Sequence, residues 1–219
     1  MDARFTLIDP ETWPRKSHFD YFMNRVKCRY TLTAKIDIAP FLKYISGQKL
    51  KFYPSFLYIL LTAVNARQEF RMMLDDQGRP GFWSHVNAGY TIFHEDDHTF
   101  SDLWSPYSPD FDLFYETVVQ DMALYKDVKG IKVKDGCPPN FCPISNLPWL
   151  HFDDCSEDTF DSSSFLFPVI RFGQYRQDED RVLLPLSVFV HHAAADGYHT
   201  CALIQDIETL ARSFGENGH

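Results

Sequence analysis

The densest set of reactive side chains is His191-His192-Ala193-Ala194-Ala195-Asp196-Gly197-Tyr198-His199, directly after the apolar run 182–190. Imidazole has an unperturbed pKa of about 6.5, so much of it is a free proton acceptor at neutral pH, as general-base chemistry requires. His192 and Asp196 lie four residues apart, and Gly197 permits a tight backbone turn beside them. Asp196 is therefore a candidate to orient the His192 ring, as the carboxylate of a catalytic triad does. A polar, histidine-rich turn on the end of a buried strand is costly to build, which argues for function. The plain alternative is a pair of histidines capping a strand beside a solvated aspartate.

Other patterns carry less. His94-Glu95-Asp96-Asp97-His98 matches the HExxH spacing of zinc proteases, but that chemistry needs both histidines on one helical face. Here Tyr-Thr-Ile-Phe precedes the motif and Thr-Phe-Ser-Asp follows it, so a strand-to-strand turn is expected and no metal. The acidic run 153–161 lacks the glycine and spacing of a calcium loop. There is no Gly-rich phosphate loop and no GxSxG elbow. The five cysteines, 28, 137, 142, 155 and 201, are odd in number with no CxxC pair, so buried free thiols are expected.

The elements that must position the histidines read as follows. Helical periodicity predicts helices over 39–48, 54–68, 110–126 and 198–214, with Pro54 at a first helical position. Strand-like runs fall at 29–36, 88–93, 100–103, 165–172 and 182–190, with turns at Gly78-Arg-Pro-Gly81 and Gly136-Cys-Pro-Pro139. They interleave without a regular βαβ rhythm, so the expected fold is α/β, a mixed sheet flanked by helices. With no linker, repeat or composition break, residues 1–219 read as a single domain.

Of the 219 residues, 45% are hydrophobic and 16% aromatic, which excludes disorder. The net charge of −9, without a long basic run, makes nucleic acid and anionic membranes poor partners. No stretch approaches the roughly 20 apolar residues of a membrane span, and the first residues have no apolar signal core, so a cytoplasmic protein is expected.

Six collinear segments then carry a resemblance. HHxxxDG at 191–197 joins Trp13-Pro-Arg15-Lys-Ser-His18-Phe19, Lys51-Phe-Tyr-Pro54, Glu69-Phe-Arg71-Met72, Tyr90-Thr-Ile-Phe-His-Glu95 with Thr99-Phe-Ser101, and Ile144-Ser-Asn-Leu-Pro-Trp149. Together they resemble the chloramphenicol acetyltransferase family across nearly the whole chain. The resemblance implies a homotrimer with active sites at subunit boundaries, where acetyl-coenzyme A meets a small hydroxylated acceptor, chloramphenicol by the resemblance, in a ternary complex. It implies His192 as general base, Ser145 as donor to the oxyanion, and an Arg15–Asp196 ion pair that holds the histidine loop.

On the coenzyme side the resemblance points to Lys51, Trp149 and Tyr175, with Gln174 where a lysine is usual; Trp149 reads equally well as a core residue. On the acceptor side it points to Phe22, Cys28, Thr91, Cys155, Glu157, Thr159 and Arg171. Cys155, Glu157 and Thr159 stand where the family has greasier residues, Arg171 where it has a threonine, and Phe189 where it has a glutamine. Glu157 and Arg171 can pair. A different, more polar acceptor is the alternative within the same chemistry, and a non-catalytic ligand-binding homologue the alternative outside it.

Overall fold

The computed structural model describes residues 3–157 and 166–216. The chain begins β1 (Phe5–Leu7), α1 (Lys16–Asn24), β2 (Arg29–Asp37), α2 (Ala39–Gln48), α3 (Phe52–Asn65). It continues through β3 (Met72–Leu74), β4 (Pro80–Trp83), β5 (Asn87–His94), β6 (Thr99–Ser105) and α4 (Phe111–Tyr125). The final part is β7 (Phe141–Leu147), β8 (Val169–Gly173), β9 (Arg176–Asp178), β10 (Arg181–His191) and α5 (Gly197–Arg212).

The main sheet has the order β2-β10-β8-β7-β5-β6, with β9 added beside β10, and β1-β4-β3 form a small second sheet. β5, β7 and β8 run parallel while the other pairings are antiparallel, so the sheet is mixed as expected. Side chains alternate between faces along a strand, and residues paired across strands share a face. On one face Tyr90, Ile144, Ile170 and Val188 stand abreast. They are buried in one core cluster with Phe56 and Leu60 of α3, Phe114 of α4, and Leu203 and Ile207 of α5. On the other face Ser145, Arg171, Ser187 and Thr33 form a polar row. Thr91 and Asp102 oppose each other in the β5–β6 hairpin, one step beyond the last β5–β7 pair.

The departures from expectation have local causes. α3 starts two residues before Pro54; the first-turn N–H groups have no intrahelical partner, so a proline at the third position loses nothing. β8 starts at Val169 rather than at 165, after Pro168, which has no N–H to give the ladder. His94 closes β5 and Thr99 opens β6, so the HExxH spacing falls across a hairpin turn; His94 Nε2 lies 2.7 Å from Ser101 Oγ. The expectation of buried thiols is corrected: only Cys142 is buried, while Cys137, in the Gly136 turn, and Cys201, on the outer side of α5, are exposed.

Gly173 marks a close approach that no side chain fits. A Cβ there would stand 2.6 Å from the Leu150 carbonyl oxygen and 2.8 Å from the Phe152 ring. Gly173→Ala is expected to cost about 1–3 kcal/mol through overpacking, read as a lower urea midpoint at constant slope. An unchanged midpoint would show that the segment through Leu150 and Phe152 gives way freely.

Candidate active site

The turn after β10 is held from several sides. The His192 N–H donates to the Cys28 carbonyl at 3.0 Å, and the Ala194 N–H donates to the His191 carbonyl at 2.9 Å. Arg15, at the N-terminal boundary of α1, ion-pairs through Nη1 with Asp196 Oδ2. Its Nη2 reaches the His192 and Ala193 carbonyls at 3.3 and 3.5 Å. Asp196 is the N-cap of α5 in a capping box, with its own N–H donating to His199 Nδ1 at 3.1 Å. A carboxylate at that position also complements the helix dipole. Burial works against the Asp196 charge, but the Arg15 hydrogen bond and charge, with His199 and His192 behind them, hold the carboxyl below its ordinary range.

The His192 ring is clamped by apolar contact rather than by a hydrogen bond. It stacks on Phe22 with centroids 3.8 Å apart and planes 9° apart, and meets the Tyr30 ring edgewise at 5.1 Å. Nδ1 lies 3.2 Å from Asp196 Oδ1, yet the two atoms are out of line for a hydrogen bond and both are buried. The ring is about a quarter exposed, so the Nε2 edge is the one that can meet a hydroxyl. His191 is the structural neighbour: it is buried, and its Nδ1 accepts from the Ala193 N–H at 3.1 Å. Burial, then the charges of Arg29 and His192, push the His191 imidazole down to about 4.

A second group of residues gathers elsewhere. A cavity of about 800 Å³ opens on the polar side of the sheet and is lined by Thr91, Asp102, Ser145, Trp149, Glu157 and Arg171, among others. Arg171 Nη2 lies 3.0 Å from Glu157 Oε2, so the two pair within the cavity wall. Phe189 lines it too, and Cys155 borders the same face, its carbonyl accepting from the Ser187 hydroxyl. Thr159 lies outside the described residues. His192 is not among the cavity's lining residues. The structure thus divides the sequence-derived site into His192 with Phe22, Cys28, Arg15 and Asp196, and Ser145 with Thr91, Glu157 and Arg171.

Of the residues expected on the coenzyme side, Trp149 lines the large cavity, while Lys51 and Tyr175 lie around the start of α3. Lys51 is its exposed N-cap, its backbone N–H donating to the Tyr115 hydroxyl at 2.9 Å. Tyr175 packs on Phe52 at 5.5 Å and lines a cleft of about 310 Å³ with Gln174 and Asn146. Trp149 is 61% exposed, edge-on to Phe93 at 4.5 Å, which excludes the core-tryptophan reading. Sequence reasoning missed Tyr30, whose hydroxyl lies 2.7 Å from Thr200 Oγ1 and 3.2 Å from the Ala195 carbonyl. It also missed Asp102. Neither has a sequence signal, since each is one polar position in an alternating strand.

A protein-family model described as chloramphenicol acetyltransferase matches residues 3–208. The chloramphenicol acetyltransferase of Clostridium perfringens is 38% identical over 211 residues, 96% of each chain. Chloramphenicol acetyltransferase 3 of Escherichia coli is 36% identical over 209 residues, 95% of this chain and 98% of that one. A solved chloramphenicol acetyltransferase shares the fold with a TM-score of 0.81 at 24% identity, over 95% of this chain and 100% of the other. The dihydrolipoamide acetyltransferase of Azotobacter vinelandii shares it with a TM-score of 0.66 at 14% identity, over 86% of this chain and 83% of that one. By these matches the protein is an acyltransferase. Within that class the chain belongs to the chloramphenicol acetyltransferase family.

The lowered pKa of His191 predicts an acid-sensitive fold. An unfolded histidine takes up its proton near pH 6.5, whereas the folded one resists until about 4. Between those values the unfolded state binds more protons, so stability is full above about 6.5 and is lost as pH falls toward 4. Protonation of Nδ1 also removes the acceptor of the Ala193 N–H. Urea midpoints measured from pH 7 to 4 should decline, and His191→Gln should flatten that decline. Parallel curves for the two proteins would remove His191 as its cause.

Proposed function

We propose that the protein is a cytoplasmic homotrimer of single-domain subunits, 1–219, that transfers acetyl from acetyl-coenzyme A to a hydroxyl of chloramphenicol in a ternary complex. His192 Nε2 takes the hydroxyl proton as the oxygen attacks the thioester carbonyl carbon. The carbonyl electron pair moves onto its oxygen, where the Ser145 hydroxyl donates a hydrogen bond. Collapse re-forms the carbonyl and breaks the C–S bond; the departing thiolate takes the proton from the imidazolium, leaving an ester and free coenzyme A. The Asp196 carboxylate, close to Nδ1, stabilises the imidazolium without accepting its proton. Lys51, Tyr175 and Trp149 would bind the coenzyme, and the step asks for no metal.

The observation that carries this reading is the division of the site. Ser145 is presented into a large cavity from one sheet, while the one accessible edge of the His192 ring belongs to a separate turn. Two such half-sites become one when a neighbouring copy closes on the cavity, and a cyclic trimer does this three times. No helix among the described residues is long and apolar enough to cross a membrane.

His192→Ala should lower turnover by about 10²–10⁴-fold, and Ser145→Ala by about 10²-fold, in a thiol-release assay with acetyl-coenzyme A. Mixed trimers of the two variants should recover activity, roughly a quarter of wild type for random assembly. No recovery on mixing, or an active monomer by light scattering, would defeat the shared site.

The Glu157–Arg171 pair favours a second reading, an acceptor more polar than chloramphenicol. An ion pair in the wall replaces apolar contacts that would hold an apolar acceptor, a difference of about 10–200-fold in kcat/KM. Removing one partner strands the other, so the double variant Glu157→Leu/Arg171→Thr is the clean comparison. It should use chloramphenicol better than wild type does; no gain would return chloramphenicol as the simplest acceptor.

A further inference from the structure

Asp102 lies opposite Thr91 on β6 and belongs to both the large cavity and an adjoining recess of about 200 Å³. Ser145 and Thr91 line both spaces as well, so Asp102 stands at the junction beside the proposed reaction centre. Its backbone is fixed, the N–H donating to the Ile131 carbonyl at 2.7 Å and the carbonyl accepting from Val133 at 3.5 Å. Among the described residues no hydrogen bond or ion pair engages its half-buried carboxylate.

No cation beside it among the described residues forms an ion pair with it. Glu157 and Arg171 neutralise each other at 3.0 Å. In the recess, Lys134 is tied to Asp121 at 2.7 Å and lies over the Trp104 ring at 4.7 Å. Lys132 lines the recess beside Asp102 and is its partner in an isolated β-bridge, but its exposed side chain makes no ion pair with the carboxylate; burial outweighs its charge and pushes the Asp102 carboxyl up. Among the described residues, the large cavity's own lining therefore carries one carboxylate without an ion-pair partner, in the same wall as the rings of Phe93 and Phe100. A carboxylate next to aromatic faces is the environment in which an ammonium group is bound.

We propose that Asp102 is a specificity-determining residue of the acceptor cavity, selecting alcohols that carry a cationic amine. This rests on reading the cavity as the acceptor site. The cation supplies the partner that the half-buried carboxylate lacks, and an anionic alcohol is turned away.

The test compares chloramphenicol with the amino-diol left when its dichloroacetyl group is removed, which keeps both hydroxyls and gains an ammonium. The readout is the ratio of kcat/KM for the amine to that for the neutral compound, with calorimetric Kd values for both measured in parallel. Asp102→Asn should lower both ratios by about 10-fold or more, the scale of one charge pair in a partly open site, and Asp102→Ala should do the same. Lys132→Ala should raise them, because it removes a competing cation. Ratios within twofold of wild type in both Asp102 variants would overturn the proposal. The calorimetric ratio decides the matter even if neither compound is acetylated, an outcome that would instead count against the proposed reaction.

Discussion

Ser145 can face a ligand only while β7, β8 and β10 keep one register. In that register Ser145, Arg171 and Ser187 share a row, and a slip of one residue would turn all three into the core. What prevents the slip is the opposite row: Ile144, Ile170 and Val188 are at most 1% exposed and pack in the helix-covered cluster. Burying each aliphatic side chain contributes roughly 1.5–3 kcal/mol. The polar row holds its place because its apolar neighbours have nowhere else to go.

His192 is positioned by a different principle. It lies past the end of β10, beyond the ladder, and its turn is shaped by charge and backbone hydrogen bonds. Arg15 reaches across the chain to Asp196 and to two carbonyls of the turn. Such a pair adds little net stability, but losing one partner strands the other beside a polar backbone. The stacked Phe22 ring then limits rotation of the imidazole without tying up either nitrogen. The proposed role as a base needs this freedom, since a base must take a proton and then give it back.

Sequence periodicity located most of the long elements because their burial is one-sided, but it missed β7, whose Phe141-Cys-Pro-Ile-Ser-Asn-Leu147 holds a proline and two polar residues. Helix 39–48 and the runs that became β2, β5, β6 and β10 read correctly to within a residue or two. The short pieces were not legible: β1, β3, β4 and β9 are three or four residues long, too short to show alternation, and α1 buries only Phe19. Of the site, the histidine turn was visible in its residue types, and Arg15, Ser145 and Lys51 only through resemblance. The division of the site into two halves was invisible. Which polar residues share a sheet face depends on long-range register, and the partners here are separated by 16 to 154 residues.

The cavity charges also bear on the chemistry. Arg171 stands on the strand next to Ser145, in register with it, so a guanidinium sits close to the proposed oxyanion position. A free cation there would stabilise the oxyanion but would also attract any anion in solution and hold the coenzyme's phosphates out of place. Glu157, at 3.0 Å, cancels most of that field at a distance while leaving it uneven close in. A paired arginine therefore adds polarity to the wall without adding net charge, and in the proposed step the Ser145 hydroxyl is left as the directed donor to the developing charge. Asp102 has no such ion-pair partner among the described residues, so in the proposed acceptor site its carboxylate is the charge left open to an approaching ligand.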